Sequence, residues 1–97
     1  IGFMLRTFLS SARDALTTMR QALQAGEMDA LRAAAHRLKP SIAHLQIHQV
    51  LALLVQIEKW EGEFDPVSMR PLVEKLEKLL EPVITQITLE ANAYLPQ

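Results

Sequence analysis

From Met28 onward the chain sets apolar residues three or four positions apart. Met28, Leu31, Ala35, Leu38, Ile42 and Leu45 fall on one stripe at 100° per residue, which predicts an amphipathic helix. Ala12, Leu16, Met19, Ala22 and Leu23 mark a preceding helix, with Ser10 or Ser11 as its cap. Gly26 is its natural C′ residue, because glycine tolerates the left-handed conformation. Ile47, Val50, Leu51, Leu54 and Ile57 mark a following helix that stops around Gly62, after a turn near His44 to Ile47. Asp65-Pro66 or Ser68 opens a last helix, whose Leu72, Leu76, Leu79, Val83, Ile87, Ala91 and Tyr94 keep helical spacing. That spacing runs straight through Pro82, so a kink is predicted there and not a break. At the N-terminus, Ile1 to about Ser10 is short and apolar, with Phe3, Met4, Phe8 and Leu9 suggesting a covering helix. Strand alternation, repeats and low-complexity segments are absent from the sequence. Four long helices with short connections predict an all-α fold, an antiparallel four-helix bundle with the short N-terminal helix lying across one end.

Composition narrows the function classes. Ninety-seven residues make one domain over 1–97, and 49% hydrophobic content with only 3 Gly suits a small helical core. The formal net charge is −1, from 10 basic and 11 acidic residues, so no strong field recruits nucleic acid or an anionic membrane. No apolar run approaches the roughly 20 residues that span a bilayer, and no signal-peptide pattern is present. The absence of Cys excludes a disulfide framework and a cysteine nucleophile, and is consistent with a cytoplasmic location. A start at Ile1-Gly2-Phe3 is what a piece cut from a longer polypeptide would show.

One residue stands outside the apolar stripe in an informative way. His36 sits about 130° from the centre of the stripe, which turns it toward solvent. Arg32 one turn earlier and Lys39 one turn later share its surface, with Arg37 beside it, so the imidazole is expected in a cationic setting. Glu27 and Asp29 place negative charge at the start of this helix, where it complements the macrodipole. Pro40 lies one turn past His36. Its missing N–H leaves the His36 carbonyl without a helical donor, its ring crowds that carbonyl, and Lys39 is biased away from helical geometry. One alternative is a helix that stops near Leu38 and a second that begins with Pro40 at its first position. The apolar phase of Leu31, Ala35, Leu38, Ile42 and Leu45 continues unbroken, which favours a single kinked helix.

The stretch Ala35-His36-Arg37-Leu38-Lys39-Pro40-Ser41 resembles the signature of histidine-containing phosphotransfer (HPt) domains, in which a phosphorylatable histidine precedes any residue, Leu, Lys, Gly and a small residue. His36, Leu38, Lys39 and Ser41 match at the expected spacing. Leu31 and Ala35 upstream fit the family pattern, as do Leu45, Val50, Leu53, Leu54, Ile57 and Glu58 downstream. Phe8, Leu16, Met19, Ala22 and Leu23 fit its N-terminal helices. Pro40 and Gln46 stand where the family usually has Gly, and Pro40 bears on how a partner docks beside His36.

The resemblance implies a phosphorelay carrier, most naturally the HPt domain of a hybrid sensor histidine kinase. It would be a substrate and donor in transfer, not an independent catalyst, and would lie in the cytoplasm, including the cytoplasmic part of a membrane-bound kinase. His36 would accept the phosphoryl group and Lys39 would offer its oxygens a charge-assisted hydrogen bond. Response-regulator receiver domains would be the partners and would bring the aspartate and Mg²⁺, so this chain is expected to hold no cofactor and no metal. Its sequence carries no glycine-rich phosphate loop, paired-carboxylate site or nucleotide pocket. Asp29, Arg32, Ala33, Arg37, Pro40 and Ala43 form the expected docking face, with small residues at 33 and 43 leaving room for the partner. Glu58, although it matches, is read as structural, and Trp60 as a cap on the end of the bundle. His44 and His48, four apart, lack a third ligand for a metal. A chain that supplies four helices closes its own core and is expected to be monomeric. The competing reading is an interaction module of the same shape that binds a receiver or another helical partner without carrying phosphate. Pro40 is the residue that favours it.

Overall fold

The computed structural model describes residues 2–93, with side chains over 5–93; Tyr94 and the side chains of Phe3 and Met4 lie outside the described residues. Four helices follow one another: α1 (Gly2–Ala25), α2 (Met28–His44), α3 (His48–Glu58) and α4 (Pro66–Ala93), with no strand among the described residues. Each helix packs on its chain neighbours and α1 closes on α4, while the diagonal pairs stay apart. Short reversals between consecutive helices make this an antiparallel up-and-down bundle.

The predicted covering helix is not separate. α1 runs unbroken through Ser10 and Ser11, both exposed, because Leu9, Ala12, Ala15, Met19, Ala22 and Leu23 form one continuous buried stripe. With that stripe in phase, the serine pair has no helix end to cap. The predicted stop is in place: Gly26 has φ +70° and the N–H of Glu27 donates to the Ala22 carbonyl at 2.9 Å, the outer bond of a Schellman turn.

α2 continues through Pro40, as its unbroken apolar phase requires. Met28, Leu31, Ala34, Ala35, Leu38 and Ile42 are buried, but Leu45 is not part of the core. It caps the helix and is 38% exposed, because the chain leaves the helix there. Gln46 then takes φ +59°, and the N–H groups of Gln46 and Ile47 donate to the carbonyls of Ala43 (3.1 Å) and Ile42 (3.3 Å). These are both bonds of a Schellman turn, built on a glutamine.

α3 ends at Glu58, short of the predicted stop near Gly62, and Lys59 is its C-cap. The Trp60 N–H turns back to the Ile57 carbonyl at 3.3 Å, so the last turn tightens and the chain departs. α4 opens as predicted. Asp65 accepts from the Val67 N–H (3.1 Å) and the Ser68 hydroxyl (2.8 Å), and Pro66 occupies the first helical position, where its missing donor costs nothing. The stripe of α4 is broader than predicted: Met69, Val73, Leu76, Leu80, Ile87 and Ala91 are buried, and Leu72, Leu79 and Val83 only half so. A helix that faces both α1 and α3 buries a wide arc.

Beyond the short α3, the N-terminal part of α1 and the C-terminal part of α4 pair alone. Leu9, Ile87 and Ala91 form a small second cluster with Leu5, Phe8, Val83 and Ile84 packed around it, and the molecule is 49 Å long. Every fully buried side chain among the described residues is apolar. The core therefore supplies no reactive group, and the chemistry lies on the surface.

Candidate functional site

Two helices that run antiparallel bring residues at similar distances from their connecting turn to the same level. α2 and α3 meet at the turn around Gln46, so His36 and Lys39 on α2 lie level with the end of α3. Glu58, the last residue of α3, reaches across. One carboxylate oxygen meets His36 Nδ1 and the other accepts from Lys39 Nζ. The side chain of His36 is 73% exposed, whereas Glu58 and Lys39 are largely covered at 22% and 30%.

This arrangement sets the orientation of the ring. A carboxylate can only accept, so the Nδ1 facing Glu58 is the protonated nitrogen, and in the neutral ring Nε2 is the one that carries the lone pair. Glu58 is held as the anion. The hydrogen bond from Lys39 is the main cause that lowers its pKa below the ordinary value of 4.5, and the bond from His36 adds to it. The site is thus an exposed imidazole with an anion at Nδ1 and an ammonium one turn away.

The sequence model of the Hpt-domain family matches residues 4–86, which takes in α1, α2, α3 and most of α4. The chain belongs to the Hpt-domain family. No curated protein and no solved structure matches it. Hpt domains pass phosphoryl groups through histidine in the phosphorelays of two-component signalling and interact with receiver domains there. No helix of this Hpt domain, among the described residues, is long and apolar enough to cross a membrane.

Of the residues singled out from the sequence, Asp29, Ala33, His36, Arg37, Pro40 and Ala43 are all exposed along one outer strip of α2. Asp29, Ala33, His36, Pro40 and Ala43 succeed one another at three- and four-residue steps, with Arg37 beside His36. Two sequence readings change. The setting of His36 is not simply cationic, since the closest charge to the ring is the Glu58 carboxylate. Nor does Arg32 share the open surface of His36. Its guanidinium turns toward the loop after α3, where it donates to the carbonyls of Trp60 and Gly62, and it is also bonded to Asp29. Trp60 packs half-buried against the end of the core, and its Nε1 donates to the Glu63 carbonyl at 3.0 Å.

Glu58, a family match that the sequence reads as structural, contacts both His36 and Lys39. The signal that could have found this contact is the hairpin register: with the turn at Gln46, a carboxylate at the end of α3 comes level with the turn of α2 that bears His36 and Lys39.

Proposed function

We propose that this Hpt domain relays a phosphoryl group between receiver-domain aspartates and Nε2 of His36. What supports the reading above all is the Glu58 contact on Nδ1, which leaves Nε2 as the exposed nucleophile. In the forward step the Nε2 lone pair attacks the phosphorus of an aspartyl phosphate in line. The P–N bond forms as the P–O bond breaks, and the electron pair leaves on the aspartate carboxylate. The ring retains its Nδ1 proton and becomes cationic, and the Glu58 carboxylate against that N–H stabilises the new charge.

Lys39 has three donors, so it can hold Glu58 and also offer a hydrogen bond to a phosphoryl oxygen. The receiver supplies the aspartate and its Mg²⁺; this chain contributes the nucleophile, its orientation and the surface on which the partner docks. Asp29, Ala33, Arg37, Pro40 and Ala43 form that surface, and the domain acts as a monomeric cytoplasmic carrier within a hybrid sensor kinase.

The test is transfer from a phosphorylated receiver, with Mg²⁺, to this chain and to His36→Gln. An acid-labile mass increase of one phosphoryl group in the first, and none in a folded His36→Gln, is the expected result. Pro40 favours one other reading, a module that binds the receiver without taking phosphate. Receiver binding without labelling in the wild-type chain would establish that reading instead.

A further inference from the structure

Arg32 lies one turn before His36 on α2, but its side chain serves the loop that ends α3. Nε and Nη2 donate to the Trp60 carbonyl at 3.1 and 2.8 Å, Nη2 also reaches the Gly62 carbonyl at 3.0 Å, and Nη1 is held by Asp29 Oδ1 at 2.8 Å. The carbonyl it forks over belongs to the second residue after Glu58. The same loop is folded back on itself, with the Trp60 N–H on the Ile57 carbonyl and the Trp60 indole on the Glu63 carbonyl.

α3 is only 11 residues long, and Glu58 is its last residue, where a helix frays most readily. The apolar contacts of Val50, Leu53, Leu54 and Ile57 hold α3 against the bundle, but they are not directional and do not set the height of its final turn. The Arg32 fork is directional. It ties the loop directly after Glu58 to the same helix that carries the imidazole.

We infer that Arg32 is a positioning residue: by clamping the Trp60 and Gly62 carbonyls to α2, it keeps Glu58 on Nδ1 of His36. This rests on the transfer reading above for its effect on rate, but not for its effect on the ring. Four of its five N–H donors are engaged by the loop and Asp29, so Arg32 is committed to the loop and not to the face around His36. A lysine at this position keeps the charge but lacks the planar five-donor guanidinium, so it cannot hold both carbonyls and Asp29 in one fixed geometry.

The decisive measurement is ¹⁵N NMR of the His36 ring in the unphosphorylated chain at alkaline pH, together with transfer kinetics. The wild-type ring is a single Nδ1–H tautomer. Arg32→Ala mixes the tautomers and slows transfer about tenfold with helical content retained, the scale typical of lost orienting contacts; Arg32→Lys falls between. A wild-type ring signature in folded Arg32→Ala overturns the inference, and slow transfer with that signature would mean that Arg32 touches the phosphoryl group or the partner directly. If Arg32→Ala does not fold, Arg32→Lys decides, and an unaltered ring there overturns the inference. Failure of the transfer reading looks different: the wild-type chain takes no phosphoryl group, while the ring still reports on Arg32.

Discussion

The two faces of α2 diverge within single residue steps. Ala35 is fully buried and His36 beside it is mostly exposed; Leu38 is 2% exposed and the next residue, Lys39, reaches out to Glu58. The inner face meets only apolar side chains, and no polar group is buried with it among the described residues. The outer face makes its defining contact through a residue 22 positions away in the chain. Substitutions on the inner face change how much of the chain is folded, because burial is bulk and non-directional. On the outer face they change what the folded chain does, because one hydrogen bond decides which ring nitrogen is free.

Leu38→Ala is the strongest test of this division. A fully packed leucine in the middle of α2 loses its transfer energy and leaves a cavity between helices, so the expected loss of stability is about 2–5 kcal/mol. Chemical denaturation measures it. The rate of transfer per folded molecule stays close to that of the wild type. A severe loss of transfer with stability intact would erase the distinction between the faces.

Glu58→Gln probes the opposite side. Its folded-state pKa lies below the ordinary 4.5, so the unfolded chain binds more protons and stability rises with pH through this window. The contribution of the Glu58 carboxylate is fully present above about pH 4.5 and is lost as the pH falls through the depressed folded value. Glu58→Gln should therefore be less stable than the wild type at pH 7, and the gap should narrow on acidification below pH 4.5. Denaturation curves at stepped pH read the gap directly; a constant gap would mean that the carboxylate charge is not what matters. Transfer is expected to slow by about tenfold, as for other lost orienting contacts to a reactive ring.

The division also accounts for what could be read in advance. Periodicity is local, so the inner stripe, the continuity of α2 through Pro40, and the Asp65-Pro66 start of α4 were all legible from residues within a few positions of one another. Local signals misled where two of them competed. Ser10 and Ser11 are good caps, but the apolar stripe of α1 crosses them in phase and prevailed. The parts that were not legible depend on contacts between distant residues. Glu58 meets His36 across 22 positions and Arg32 meets Trp60 across 28, and neither distance leaves a mark on spacing along one helix.

The smallest expected effect concerns the turns that set the helix register. Both Gly26 and Gln46 have a positive φ, +70° and +59°, after the helix that each one ends. At Gly26 an added Cβ would meet the Phe64 ring at 3.5 Å, an ordinary contact, so Gly26→Ala should cost about 1 kcal/mol through backbone conformation alone. Gln46 already bears that strain. Gln46→Gly relieves it but enlarges the conformational freedom of the unfolded chain, so the net gain is about 0.5–1 kcal/mol. The turn it occupies sets which residues of α3 face α2, and a glycine that keeps both Schellman bonds keeps Glu58 level with His36. A higher denaturation midpoint with unchanged transfer is the expected result. A gain in stability accompanied by slower transfer would mean that the side chain at 46 holds the hairpin register, not merely the backbone angle.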